Sequence, residues 1–221
     1  MPHGLLDDLR TPWRAAFDLA WEAYQAGSPP VGSVIVDSNG AVMATGRSRR
    51  SEASAPAGQI AGSRLAHAEV NALAQLPVDH DASELYVTLE PCLLCWAAIS
   101  ITHVPRVFFA GSDPVWSFLG SLADVHPALS ERAYAAEGPL AGPIGTWATL
   151  LALTERLWRD PKGLRVEHFT RSVPALVKLA DRLVSNGTAK AFLEISQEEA
   201  LSSVWDDLVA SGAASGPPSS G

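Results

Sequence analysis

The sequence predicts an α/β fold in which helices cover both faces of a partly parallel sheet. Over residues 11–110, segments of helical and strand character follow one another in the order helix, strand, strand, helix, strand, helix, strand. The first two strands are close enough in sequence to form a hairpin, whereas helices separate the later ones. Because a helix between two strands makes a crossover connection, we expect the later strands to be parallel and the sheet to be mixed.

Each element of this first half has a local signal. The first helix follows a Thr-Pro start and carries an apolar repeat at helical spacing from Trp13 to Tyr24. Asn39 and Gly40 predict a type I′ turn between the first two strands. The next helices are expected at 67–76 and about 91–103, and the strands at 31–37, 41–45, 85–89 and 107–110.

Beyond residue 111 the predicted elements are mostly helices. A helix is expected over 145–160 and a short strand over 165–170. An amphipathic helix opens near Pro174, and a capping box at Ser196 opens a last helix. These segments divide the chain into a main domain at 1–160, a C-terminal helical extension at 161–210 and a disordered tail at 211–221.

A long loop at 47–66 separates the predicted hairpin from the second helix. Loops of this length are uncommon inside a compact domain and are typical of a functional lid or a disordered insertion. Its four arginines either cluster around a phosphate or form a solvated face, and they are Arg47, Arg49, Arg50 and Arg64.

Composition and charge limit the functional classes. The chain has 221 residues, 47% of them hydrophobic and 18% charged, which is enough apolar surface for a sizeable core. Its formal net charge of -8 lacks the basic excess typical of proteins that hold tRNA or DNA by the phosphates. Two cysteines are too few for a secreted disulfide framework, and no segment resembles a signal peptide or a membrane span. We therefore expect a soluble cytoplasmic protein.

The two cysteines form the clearest chemical motif. Cys92 and Cys95 are three residues apart after Pro91, so a helix starting there would bring both sulfurs to one face of its first turn. The positive end of that helix favours thiolates. His67 lies one strand upstream, at the start of the preceding helix. Two thiolates and one imidazole hold Zn²⁺ with a fourth position left for water, which is the arrangement of catalytic rather than structural sites.

Glu69 has the spacing from His67 that a proton carrier needs. Zinc with two thiolates and a neutral imidazole acidifies water less than a three-histidine site does, so a carboxylate must take the water proton. His-x-Glu followed by Pro-Cys-x-x-Cys is typical of zinc deaminases that act on nucleobases. Alone, Glu69 would be interpreted as a carboxylate stabilising a helix start, and Cys-x-x-Cys as a redox dithiol or part of a structural zinc site.

On these motifs the chain resembles the cytidine deaminase-like superfamily, in the branch that holds nucleobase and nucleoside deaminases and bacterial tRNA adenosine deaminases. The resemblance covers about residues 12–115. It implies a three-layer α/β/α sandwich with a mixed, partly parallel sheet, one zinc per subunit and usually a homodimer. It also implies that His67, Cys92 and Cys95 are the zinc ligands and that Glu69 is the proton shuttle. The matching segments are 30–36, 66–73, 85–92 and 107–110.

The resemblance further implies three substrate-binding positions. Val31 matches a residue that lines the base pocket, and Asp113 matches an acidic residue near its rim, with a loop-capping aspartate as the alternative. Ser48 stands where relatives commonly place an asparagine that bonds the base, and its hydroxyl lacks the paired donor and acceptor of an amide. Trp96 and Trp116 either stack on a base or serve ordinary packing.

These observations lead to one main functional hypothesis and two alternatives. The main hypothesis is a zinc-dependent hydrolytic deaminase in residues 1–160, which converts the exocyclic amine of a nucleobase, nucleoside or related small heterocycle to a carbonyl and releases ammonia. The acidic balance and a C-terminal third without a basic terminal helix favour a small substrate over nucleic acid. The alternatives are a tRNA-specific adenosine deaminase and a catalytically silent zinc-binding interaction module.

Overall fold

The predicted order of helices and strands is present in a computed structural model, which describes residues 4–131 and 134–213. The four expected strands form, and a short fifth strand joins them. The strands are β1 (Gly32–Asp37), β2 (Val42–Arg47), β3 (Ala82–Leu89), β4 (Arg106–Gly111) and β5 (Ala135–Glu137). The helices of the first half are α1 (Thr11–Gln25), α2 (Ala68–Leu73), α3 (Leu93–Ile101) and, after a 3-10 helix (Ser117–Asp124), α4 (Pro127–Ser130).

The sheet is mixed, as predicted. Its strand order is β2-β1-β3-β4-β5. Strand β1 is antiparallel to both β2 and β3, whereas β3 is parallel to β4 and β4 is parallel to β5. The hairpin therefore supplies the antiparallel edge, and the crossover through α3 supplies the parallel part.

Alternate side chains of the strands enter two separate cores. On one face, Val34 and Tyr86 belong to the buried cluster that contains Trp13 of α1. On the other face, Ile35 belongs to a second buried cluster with Ile99 of α3. Because successive residues of a strand point to opposite faces, this division places helices on both sides of the sheet. The expected three-layer α/β/α architecture is confirmed.

The C-terminal half consists of helices packed on the first core. Phe169, Leu183 and Leu208 are buried in the same cluster as Val34 and Trp13. The boundary at residue 160 stays a prediction, because this shared core continues across it. Of the predicted tail, 211–213 end the last helix, and 214–221 lie outside the described residues. These helices are α5 (Pro143–Arg159), α6 (Leu164–Ser172), α7 (Pro174–Ser185), α8 (Thr188–Ala191), α9 (Gln197–Ser203) and α10 (Trp205–Ala213).

Two local predictions are wrong. A type I′ turn needs positive φ at both central residues, but only Gly40 has it (φ 81°), and Asn39 does not. The Asp37 carboxylate accepts hydrogen bonds from the N–H groups of Asn39 and Ala41, both at 2.8 Å, and this holds a longer turn that ends in a left-handed glycine. The predicted strand at 165–170 lies inside helix α6. Its buried side chains are three residues apart, which is a helical spacing.

The long loop before α2 is ordered by one buried side chain. Asn71, in α2, donates hydrogen bonds to the carbonyls of Arg47 (3.0 Å) and Ile60 (3.1 Å) and accepts one from the N–H of Ile60 at 2.8 Å. These bonds hold the loop against the domain at its start and its middle. Among the described residues, no helix combines the length and the apolar character that crossing a bilayer requires.

Candidate metal centre and pocket

Two helix starts bring the predicted metal ligands together. His67 is the N-cap residue of α2, and Cys92 is the N-cap residue of α3. Helix α2 lies directly on β2 because Gly46 has no side chain: a Cβ there would lie 2.3 Å from the carbonyl oxygen of Ala68 and 2.5 Å from the nitrogen of Ala72. Such a short separation fixes the start of α2, and therefore His67, relative to the sheet.

The three ligand atoms form a nearly equilateral triangle. His67 Nδ1 lies 3.3 Å from Cys95 Sγ and 3.5 Å from Cys92 Sγ, and the two sulfurs are 3.5 Å apart. Tetrahedral zinc at ordinary bond lengths separates two sulfurs by about 3.8 Å and a sulfur from a nitrogen by about 3.6 Å. These residues therefore fit zinc. In the described part of the chain, the cluster of metal-ligating side chains contains these three and no fourth.

The geometry favours a metal site over a redox dithiol. Both cysteines are free thiols, and their sulfurs are much farther apart than the roughly 2.05 Å of a disulfide bond. Hydrogen bonding with Cys95 and His67 lowers the pKa of Cys92 to about 4. A cysteine pair that functions only by oxidation does not need an imidazole at the third corner of the triangle, whereas a metal site does.

Glu69 is buried beside this triangle. It lies in the first turn of α2 and is only 3% exposed, so it is not a solvated helix-start carboxylate. Burial raises its pKa to about 7, and the negative charge of Cys92 adds to the rise. A carboxyl group near half-protonation at neutral pH can both accept and return a proton, which is the property that general acid/base catalysis requires.

A pocket opens from the metal centre. Its empty volume, including the open mouth, is about 590 Å³. His67, Glu69 and Cys92 are among the residues that line it, and we call this part of the lining the metal end. The three predicted substrate-binding residues also line it, together with one of the two predicted tryptophans; these are Val31, Ser48, Asp113 and Trp116.

The part of the chain that matches a known family contains the residues of the metal centre. Residues 8–111 match the family described as the cytidine and deoxycytidylate deaminase zinc-binding region. This similarity covers slightly less than half of the chain. The matched stretch contains all of His67, Glu69, Cys92 and Cys95, so the zinc expected from the sequence is confirmed as the metal of this region.

Individual relatives differ in the activity that their names give. The chain is 33% identical over 125 residues to tRNA-specific adenosine deaminase 2 of Danio rerio, covering 51% of this chain and 54% of that protein. It is 34% identical over 109 residues to the riboflavin biosynthesis protein RibD of Corynebacterium ammoniagenes, covering 46% and 29%. The chain thus spans about half the length of the first relative and less than a third of the second.

A solved structure has the same fold over most of its length. It comes from a study of A-to-I editing by deaminases acting at the wobble position of transfer RNA. It is 28% identical, with a TM-score of 0.51, and the alignment covers 63% of this chain and 99% of that one. The rest of this chain lies outside that alignment.

Ser48 and Val31 form one side of the pocket of this deaminase-like chain. The backbone N–H of Ser48 donates to the carbonyl of Val31 at 2.9 Å, which fixes both residues at the end of the hairpin. The Ser48 side chain is 2% exposed, and among the described residues its Oγ has no hydrogen-bond partner. Because buried hydroxyls are normally bonded, this unpartnered Oγ, although covered by protein atoms, marks Ser48 as a polar position in the pocket wall.

Asp113 is held from two directions. Its carboxylate accepts a hydrogen bond from the N–H of Val115 at 3.2 Å and pairs with Arg156 at 2.7 Å. Its own N–H donates to the Glu90 carboxylate at 2.9 Å. Asp113 is therefore both the loop-capping residue of the alternative interpretation and part of the pocket wall.

Sequence reasoning missed several pocket residues. Arg156, Arg165 and Glu155 come from α5 and α6, a region whose sequence carries no recognisable motif. Glu90 lies next to the cysteine motif and could have been noticed there, since it fixes the loop after β4 through Asp113. The sequence around these arginines gives no local signal, because they come near the metal centre only when the C-terminal helices pack on the first core.

The four loop arginines do not form one cluster. Arg47 pairs with Glu52 at 2.5 Å and with Glu22 at 3.2 Å, and Arg49 pairs with Glu52 at 2.7 Å, so two carboxylates balance these two charges. Of the four, Arg50 lines the pocket. Trp96 does not line it and instead lies near Tyr134, with ring centroids 6.2 Å apart.

Proposed function

We propose that this chain is a zinc-dependent hydrolytic deaminase of a nucleobase, nucleoside or related small heterocycle. The observation that carries the proposal is the position of Glu69, buried beside the ligand triangle and lining the same pocket as His67 and Cys92. The net reaction replaces the exocyclic amine of an amidine-like carbon by a carbonyl: water is consumed and ammonia is released.

Glu69 carries the protons in this reaction. His67, Cys92 and Cys95 would hold zinc, which when bound supplies Lewis acidity that activates water. Glu69 takes one proton from the attacking water as its oxygen bonds to the carbon and passes this proton to the ring nitrogen. It then transfers the second proton to the amine, and the carbon–nitrogen bond breaks to release ammonia.

The wall opposite the metal positions the ring. Val31 supplies an apolar surface, and the free hydroxyl of Ser48 bonds a heteroatom of the ring. Asp113 acts through Arg156, since its carboxylate is already engaged there. These three residues are the substrate-binding positions of the proposal.

The biological setting is a homodimer in the cytoplasm, with residues 1–160 as the deaminase domain and 161–210 as an extension packed on it. Helix α3 supports a self-association surface because its outer side is apolar and lies next to the metal ligands. Its exposed members are Leu93 (48%), Leu94 (38%) and Ile101 (64%). The free thiols of Cys92 and Cys95 are in keeping with a reducing compartment.

Deamination of adenosine in tRNA is the second candidate, favoured by the names of the zebrafish relative and of the solved structure. The formal charge of -8 and the internal pairing of Arg47 and Arg49 support a small substrate instead. Binding of unmodified tRNA that weakens steeply with salt would favour the tRNA candidate.

Replacement of Glu69 by glutamine tests the proposal. We expect Glu69→Gln to retain one zinc per chain and to reduce the rate of ammonia release by at least about 100-fold. The amide has the shape of the carboxylate but cannot take up and return a proton. Ammonia release is measured over a panel of bases, nucleosides and aminated heterocycles, with zinc content determined on the same samples. Equal turnover by both proteins would contradict the proposal. Zinc binding without ammonia from any compound would support the silent zinc module.

A further inference from the structure

The pocket is also lined by three guanidinium groups. Arg50 comes from the loop before α2, Arg156 from α5 and Arg165 from α6, and all three line the pocket. We call these three residues the arginine wall. The charges of the three groups interact. Burial is the largest cause that lowers the pKa of Arg156, and the positive charges of Arg165 and Arg50 lower it further.

Two of these groups make no direct ion pair among the described residues, although Glu155 interacts electrostatically with Arg50 and Asp113 with Arg165. In the part of the chain that the structure describes, neither Arg50 nor Arg165 makes a hydrogen bond or ion pair with a carboxylate. Arg156 pairs with Asp113, but its Nε is buried and has no partner among the described residues. Converging guanidiniums without direct ion pairs repel one another, and an anion bound between them removes that cost.

The pocket is also lined by four carboxylates, those of Glu69, Glu90, Asp113 and Glu155. Glu155 interacts with the charge of Arg50 and accepts a hydrogen bond from Arg159. Glu90 accepts from the N–H of Asp113, and Asp113 pairs with Arg156. Among the described residues, Arg50 and Arg165 therefore keep N–H groups that no carboxylate engages directly, and these groups can bond an anion.

Arg165 is also held in place before any ligand binds. Its guanidinium carbon lies 5.3 Å from the ring centroid of Trp116, which itself lines the pocket. A planar guanidinium stacked on an aromatic ring keeps its N–H groups free at the edge, where they can bond a phosphate or carboxylate in bidentate fashion.

We propose that the substrate is an aminated heterocycle carrying an anionic substituent, a phosphate or a carboxylate, which the arginine wall binds while the ring faces Glu69 and the zinc ligands. This inference rests on the proposed deaminase function and specifies its substrate class. A small anion fits better than a nucleic acid, because a polynucleotide requires a row of unpaired basic residues, and Arg47 and Arg49 are paired with Glu22 and Glu52.

Binding measurements on the zinc-loaded full chain test this inference. The ligands are matched series of base, nucleoside and nucleoside 5′-monophosphate built on adenine, cytosine and guanine, together with aminated heterocycles that carry a carboxylate. The Glu69→Gln form is used so that affinity is read by calorimetry without turnover. We expect at least one anionic compound to bind about tenfold or more tightly than its neutral counterpart at the same ionic strength.

Variants of the arginines test whether the arginine wall causes this preference for anionic compounds. Arg50→Gln and Arg165→Gln should each remove most of the tenfold preference while leaving the affinity for the neutral counterpart within about twofold. Arg171→Gln is the matched control, because Arg171 lies on the same helix as Arg165 and pairs with Glu167 on the surface. Zinc content and circular dichroism confirm that each variant is folded.

The outcomes separate this inference from the deaminase proposal. Preference for a phosphate or for a carboxylate, lost in both wall variants, supports the inference and identifies which anion is bound. Equal affinity for anionic and neutral compounds would overturn it, even if neutral bases release ammonia. Tight tRNA binding with a steep salt dependence and no preference for monophosphates would also overturn it. If no compound releases ammonia but the anion preference persists, the deaminase proposal fails and the anion site stands.

Discussion

The two ends of the pocket are built in different ways. The metal end takes His67 and the two cysteines from two short helix starts that are one strand apart in the chain. The arginine wall takes Arg50, Arg156 and Arg165 from a loop and two helices that are separated by about half of the sequence. The match to the deaminase zinc-binding region ends at residue 111, so the metal end lies inside it and two of the three wall arginines lie outside.

This difference separates the reaction from the choice of substrate. The chemistry that can occur is set by a few residues whose spacing along two helices fixes their geometry. On our proposal, what the pocket accepts depends on where helices α5 and α6 place their charged side chains. The zebrafish and corynebacterial proteins, to which this chain is similar, carry names of different activities.

The largest expected effect is on zinc affinity, which we expect to depend on the ligand triangle and not on the arginine wall. Cys95 is fully buried and forms one corner of the ligand triangle. Even the loss of an outer-shell partner of a metal ligand lowers metal affinity by about 10- to 100-fold. We therefore expect Cys95→Ser, which removes a ligand itself, to lower zinc affinity by more than about 100-fold. The protein should also melt at a lower temperature, because bound zinc stabilises the folded chain. Competition with a chromophoric chelator measures the affinity.

Arg165→Gln is the control for this experiment. It should bind zinc as tightly as the wild type, because Arg165 stacks on Trp116 and does not touch a metal ligand in the described structure. If both variants lost zinc equally, the two ends of the pocket would not be separable, and the comparison drawn above would fail.

A smaller effect is expected where the arginine wall joins the core. Asp113→Asn removes the charge that pairs with the largely buried Arg156, and we expect it to lower the free energy of unfolding by about 3 kcal/mol. Asp7→Asn is the matched control, because Asp7 also pairs with an arginine, at 2.5 Å, but is 71% exposed. Its loss should cost less than about 1 kcal/mol. Urea unfolding of both variants measures the difference, and equal losses would contradict a structural role for the buried pair.

The metal end could be predicted from the sequence, whereas the arginine wall could not. The order of elements, the mixed sheet, the zinc ligands and the buried Glu69 depend on local spacing, and the sequence predicts them. The strand expected at 165–170 is a helix, because a segment of six residues with two apolar side chains, Val166 and Phe169, is too short for its periodicity to distinguish a strand from a helix. Arg156 and Arg165 were not identified because nothing in their neighbourhood indicates which way they face.

The long loop illustrates the same limit. Its composition is typical of a lid or a disordered insertion, yet Asn71 holds it through three hydrogen bonds to the backbone. Asn71 lies within the motif that contains His67, where the sequence gives no sign that its partner is a loop. Packing of α2 on β2 decides this contact, and with it the position of Arg50 in the pocket.

The smallest stability effect belongs to Ser48, which lies between the metal end and the arginine wall. Ser48→Ala should change the free energy of unfolding by less than about 0.5 kcal/mol, because its buried Oγ has no partner to lose among the described residues. If that hydroxyl bonds the substrate, the KM should rise by about five- to tenfold. Ser33→Ala is the control: its Oγ is equally buried and unpartnered, but it does not line the pocket. Equal kinetics for the two variants would show that Ser48 does not contact the substrate, and recognition would then rest on the arginine wall and Val31.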